Sequence, residues 1–111
     1  MRAKVRHHGN VAVVDLHGSI AIGVGDVRLR AAVMDLLKNG HSRIVLNLKG
    51  VSWMDSAGLG ELVACAKRAE RDGGRVTLLN PSGRVFDLMQ ITHLQEIFEI
   101  WKDERDALAS F

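Results

Sequence analysis

The sequence predicts a single α/β domain, spanning residues 1–111, on a mainly parallel, mixed sheet of about five strands. Three observations carry this reading. Short β-rich runs alternate with longer segments whose apolar residues recur at helical spacing. The runs Ile44–Leu48 and Val76–Leu79 are continuously apolar or nearly so, as strands covered on both faces are. Asn39-Gly40 and Gly73-Gly74 close the two longest helical segments, where glycine accepts the left-handed backbone of a helix end.

The elements follow in order. Met1 to Arg6 alternates like a strand, His8-Gly9-Asn10 is a turn, and Val11–Leu16 pairs back as a hairpin. Gly18, Gly23 and Gly25 mark a flexible loop, and Asp26 is the expected N-cap of a first helix carrying Leu29, Val33, Leu36 and Leu37. Ile44–Leu48 is the central strand. A helix starting at Leu59 carries Leu62, Val63, Ala66 and Ala69 on one face. Ile44, Leu46, Leu48, Leu62, Val63 and Leu78 are expected to be buried. After the strand Val76–Leu79, Asn80-Pro81 reads as cap and first helical position, with Val85, Phe86, Leu88 and Met89 on a short amphipathic helix. Ile97–Trp101 is a short edge strand, and Asp103 caps a last helix ending at Leu108. The order β-β-α-β-α-β-α-β-α implies right-handed crossovers after an antiparallel start.

Composition narrows the function classes. The chain is 47% hydrophobic and 25% charged with a net charge of +2, ordinary for a globular protein. Arg2, Lys4 and Arg6 share a strand face, read as a solvated face, since no aromatic residues interleave to stack bases. No direct nucleic-acid role is expected. The single cysteine, Cys65, precludes an internal disulfide. No basic-then-apolar leader opens the sequence, and no apolar run approaches the roughly 20 residues that span a bilayer. The expectation is a cytoplasmic protein without membrane attachment.

The densest chemical signal is Asp55-Ser56-Ala57-Gly58-Leu59-Gly60, a polar turn between a strand and a helix. The first N–H groups of a helix lack internal partners, and its dipole is positive there. A hydroxyl so placed can cap the helix, attack a substrate or accept a phosphoryl group. Catalysis is disfavoured: Met54 stands where a G-x-S-x-G elbow needs glycine, and no histidine is placed by its spacing to serve Ser56. The expectation is no enzyme. His7-His8 point to opposite strand faces, and no His or carboxylate pair falls at the i, i+4 spacing of a helical zinc site with convincing context, so no metal is expected. The turn lacks the lysine of a P-loop and the length of a dinucleotide loop, so no cofactor is expected. Covalent phosphorylation of Ser56 fits better. It would add about −1.5 to −2 charges beside Asp55, with the helix N-terminus offsetting part of the repulsion. A plain helix cap remains the alternative.

From about Val5 to Phe111 the chain resembles a STAS domain, the fold of bacterial anti-sigma factor antagonists. The resemblance rests above all on Met54-Asp55-Ser56-Ala57-Gly58-Leu59-Gly60-Glu61-Leu62. Val13-Val14-Asp15-Leu16-His17-Gly18, Ile44-Val45-Leu46-Asn47-Leu48 and Leu78-Leu79-Asn80 stand in the right order beside it. It implies a binding module controlled by phosphorylation of Ser56. The kinase would be an anti-sigma factor serine kinase of histidine-kinase-like ATPase fold, sequestered while Ser56 is unmodified so that a sigma factor is freed. A PP2C-like phosphatase would restore the hydroxyl. The expected contact surface is Asp55, Ser56, Ala57, Gly58, Leu59 and Gly60, together with Trp53 and Met54, which stand just before Ser56 as candidates for an apolar patch, strand alternation placing at least one of the two in the core. One departure bears on partner choice. Where many members have Gly-x-x-Asp, this chain reads Gly18-Ser19-Ile20-Ala21, and Asp26 is the nearest carboxylate that follows. The alternative implied function is a structural STAS subunit of a stressosome-like assembly or of a lipid-transport complex.

Overall fold

A computed structural model describes residues 1–81 and 83–111. The chain runs β1 (Arg2–His8), β2 (Val11–Ile20), α1 (Gly25–Lys38), β3 (Arg43–Met54), α2 (Ser56–Arg71), β4 (Arg75–Leu79), α3 (Gly83–Ile91), a 3-10 turn at Leu94–Glu96, β5 (Ile100–Trp101) and α4 (Glu104–Ala109). The five strands lie side by side in chain order. β1 is antiparallel to β2 and every other neighbouring pair is parallel. The element order read from the sequence holds, with the 3-10 turn added.

Strand alternation sorts the core to two faces. On one, Val14, Leu16 and Ile20 of β2, Ile44, Leu46 and Leu48 of β3, and Val76 and Leu78 of β4 meet Leu29, Val33 and Leu36 of α1. They also meet Leu59, Leu62, Cys65 and Ala69 of α2, and Val85 and Met89 of α3. On the other face Val11, Val13, Val45 and Leu79 pack with Ala107 of α4, flanked by Trp101, Leu108 and Phe111. A fully buried leucine or isoleucine contributes about 1.5–3 kcal/mol relative to exposure. Val63, expected buried, is only partly so: it lies at the margin of the apolar stripe of α2.

Local readings are corrected at several junctions. β2 does not end before Gly18 but continues to Ile20, with Gly18 at φ +106° beside register shifts in the β2–β3 ladder. β3 likewise runs on through Met54. It carries an extra residue between Val51 and Trp53, which pair with adjacent Gly18 and Ser19. Gly50 makes the extension possible, because a Cβ there would stand 2.3 Å from His17 Nδ1. α1 has Val24 as its N-cap, without a side-chain cap bond. Asp26 lies within the first turn, where its carboxylate accepts from the Val27 N–H at 2.8 Å. Asn80 adopts a left-handed backbone (φ 54°) and donates its N–H to the Trp101 carbonyl, and Pro81 lies outside α3 (Gly83–Ile91). Pro81 is therefore not its first helical position. β5 spans only Ile100–Trp101, not Ile97–Trp101; Leu94 and Phe98, which precede it, are buried.

The basic face of β1 is not wholly solvated. The guanidinium of Arg6 donates to Asp15 at 2.7 Å and to Glu104 at 2.6 Å, tying α4 to the sheet, while Asn47 donates to Asp15 at 2.8 Å. Arg2 and Lys4 are exposed.

Glu61 is 6% exposed in the seam between α1 and α2. Its carboxylate accepts from Arg30 and Arg68, each at 2.7 Å. Burial by itself raises its pKa, but the hydrogen bonds from Arg68 and Arg30 outweigh it, and the net shift is downward. A carboxylate with a lowered folded-state pKa stabilises above its unfolded value, and the contribution is lost as pH falls through the folded value. Both arginines reach solvent, so the discounted effect is modest. Glu61→Gln is expected to lose about 1 kcal/mol at neutral pH. The gap from wild type should close below the ordinary glutamate value of 4.5, as read by urea denaturation at a series of pH values. The neighbouring Cys65 thiol is pushed up to about 12, by burial first and then by the Glu61 charge, and so stays a protonated core residue.

Candidate functional site at the start of the second helix

β2 and β3 extend together to the same end of the sheet, Ile20 pairing with Met54. The chain turns there at Asp55 and enters α2 at Ser56, three positions before the start expected from periodicity alone. Asp55 has an extended backbone (φ −103°, ψ −175°), and its carbonyl accepts the first helical bond from Leu59 at 3.0 Å. It is therefore the N-cap, and Ser56 is the first helical residue.

The Asp55 side chain makes two contacts. One oxygen accepts from the Gly58 N–H at 2.9 Å, closing the cap. The other accepts from the Ile22 N–H, also at 2.9 Å, and so holds the β2–α1 loop beside the helix start. These backbone donors, Ile22 before Gly58, keep the carboxyl below the ordinary aspartate range. With Asp55 serving as cap, the Ser56 hydroxyl is not needed for that purpose, and Ser56 is exposed. The cap and the acceptor candidate, left open by the sequence, are two different residues.

Gly58 is required by close approach rather than by backbone angle. A Cβ there would stand 2.1 Å from the Ile20 carbonyl oxygen and 2.8 Å from Met54 Cγ. Gly25, at the start of α1, abuts Ser19 in the same way, at 2.2 Å from its carbonyl oxygen. Both helix starts are thus seated directly on the end of β2. Gly60 has nothing within 4 Å of such an atom and faces solvent.

The other residues of the expected contact surface divide sharply. Trp53 is 45% exposed, and Ala57 is half-buried. Met54 is only 1% exposed and Leu59 9% exposed, so both are buried. Met54 serves the core because strand alternation, restored by the extra residue in β3, points it inward; it supports the surface rather than forming its exposed part. Ile22 and Val24 of the β2–α1 loop add exposed apolar surface close by, at 76% and 65%. The sequence offered no sign of this, since the Ile22 contact to Asp55 is made by backbone.

Beside Ser56 lies a concavity of about 380 Å3 lined by Trp53, Met54, Leu59 and, from α3 and just beyond it, Arg84, Leu88 and Thr92. Among the described residues that line it there is no histidine. Among the described residues, no group of three or more His, Cys, Asp or Glu side chains is placed to hold a metal ion. No helix among them is long and apolar enough to cross a membrane. The site thus offers an exposed hydroxyl at a capped helix N-terminus with an apolar flank.

Known proteins are similar to this chain in sequence and fold. The chain is 35% identical over 96 residues to the anti-sigma-B factor antagonist of Bacillus subtilis, covering 86% of each protein. It is 27% identical over 108 residues to the anti-sigma F factor antagonist of Paenibacillus polymyxa, covering 97% of this chain and 92% of that one. Its fold matches that of SpoIIAA, an anti-sigma factor antagonist from Bacillus, in both forms. The TM-score is 0.72 to the unphosphorylated form at 22% identity, covering 98% of this chain and 96% of the other. For the phosphorylated form it is 0.74 at 23% identity, covering 98% of each. The STAS domain model matches residues 2–107. With its five-stranded sheet, its two glycine-seated helices and Ser56 at the turn between β3 and α2, the chain belongs to the STAS domain family.

Proposed function

We infer that this protein is an anti-sigma factor antagonist, a binding module switched by phosphorylation of Ser56. The observation that carries the reading is the division of labour at the turn: Asp55 caps α2, leaving Ser56 exposed and its hydroxyl free of the capping task. The relatives named as antagonists of anti-sigma factors support it. The partner is an anti-sigma factor serine kinase of histidine-kinase-like ATPase fold. Unmodified, the protein binds that kinase through Trp53, Ser56, Ala57 and the apolar flank of the concavity, freeing a sigma factor. A PP2C-like phosphatase reverses the modification. The place of action is the cytoplasm.

The switch has a physical basis. A serine hydroxyl at an interface is hydrogen-bonded at little cost, whereas a phosphate dianion buried without matching cations costs several kcal/mol, which is orders of magnitude in affinity. Incubated with the cognate kinase and ATP, the protein should gain one phosphate, placed on Ser56 by mass spectrometry. Ser56→Ala should gain none. Incorporation that persists in Ser56→Ala would place the acceptor elsewhere and defeat the reading.

A further inference from the structure

We propose that Arg84, at the start of α3, is the internal receptor of the Ser56 phosphate, drawing down over the concavity when the serine is modified. The proposal rests on the reading of Ser56 as phosphoacceptor and adds a residue that no family motif of the sequence marks. Arg84 and Ser56 line the same small concavity, brought together from α3 and α2 across the end of β3. Arg84 is exposed, and among the described residues it has no acidic partner within ion-pair distance. Asp87, one turn further along α3, makes no ion pair with it. Asp55, the carboxylate nearest Ser56 in the chain, is already committed to two backbone N–H donors.

Among the described residues that line the concavity, Arg84 is the one cation. A guanidinium offers a planar fork that matches phosphate oxygens bidentately, and such charge-assisted bonds are about twice as strong as neutral ones. The rest of the lining is largely apolar, namely Trp53, Met54, Leu59 and Leu88, which limits competing hydration. A guanidinium drawn onto the phosphate would also lie across Trp53 and Leu88. Modification would then act twice, by adding charge and by covering the apolar wall that the unmodified protein presents.

The test uses the full chain with phosphoserine placed at position 56 during translation, so its outcome does not depend on which kinase, if any, modifies Ser56. The readout is the second ionisation of the phosphate, followed by phosphorus NMR in wild type, Arg84→Lys and Arg84→Gln. Asp55 and Asp87 oppose that ionisation equally in all three proteins, and Arg84 favours it. The midpoint should therefore rise by about 0.5 pH units in Arg84→Gln. Arg84→Lys, which keeps the charge and loses the fork, should fall between. The Arg84 Nε–H resonance of the wild type should shift on phosphorylation. Identical midpoints in the three proteins, with an unmoved Arg84 resonance, would overturn the proposal while leaving Ser56 as acceptor untouched.

Discussion

Gly58→Ala is expected to destabilise the protein by about 3 kcal/mol, at the upper end of overpacking costs. The added methyl would stand 2.1 Å from the Ile20 carbonyl oxygen. That oxygen belongs to strand backbone and cannot swing aside as a side chain would. Relief requires α2 to lift from the end of β2, which pulls Leu59 and Leu62 from the core and disturbs the Asp55 cap. Gly60→Ala, two residues on, meets open space and replaces a mid-helix glycine, so it should be neutral or stabilise by up to about 1 kcal/mol. Gly74 is no benign comparison, although the sequence suggests a simple helix stop: a Cβ there would stand 1.9 Å from the Ser42 carbonyl oxygen. Urea melts of Gly58→Ala and Gly60→Ala test the contrast, and equal stabilities would show that α2 is not seated as described.

The second large effect is on binding and leaves stability nearly untouched. Phosphorylation adds about −1.5 to −2 charges and three acceptor oxygens at an exposed position. The first turn of a helix tolerates negative charge, so the fold has no reason to fail. A partner surface shaped for a hydroxyl has to desolvate that charge. Affinity for the kinase should therefore fall at least about 100-fold, or about 2.7 kcal/mol. Ser56→Asp should weaken binding less, carrying one charge and two oxygens. Ser56→Ala should bind about as well as wild type, since it adds no charge. Thermal melts of the four proteins should agree closely.

Much of this fold was legible because parallel strands and amphipathic helices write different periods. Ile44, Leu46, Leu48, Leu62 and Leu78, all expected in the core, are fully buried. The less legible parts depend on backbone meeting backbone. β2 and β3 run six residues beyond Leu48 on the β3 side because Gly18 and Gly50 serve ladder irregularities, whereas an isolated glycine reads as a loop. Asp26 and Asp55 look alike as caps, yet only Asp55 is one; the start of α1 is fixed instead by Gly25 packing on Ser19. At the site, Asp55, Ser56 and Gly58 were marked by residue type and spacing. Trp53 and Met54 were marked without a way to say which faced outward. Arg84, Leu88 and Thr92 reach the site through the β4–α3 crossover, and no local pattern announces a contact about 30 residues away in the chain.

The measurement that bears most directly on the switch is calorimetric titration of the kinase domain with the unmodified protein, the Ser56-phosphorylated protein and Ser56→Asp, each checked by its melting curve. Tight binding of the unmodified protein, weaker binding of Ser56→Asp and the weakest binding of the phosphorylated form, at matched stabilities, is the expected result. Equal affinities for all three would contradict it and leave the domain as a constitutive structural subunit.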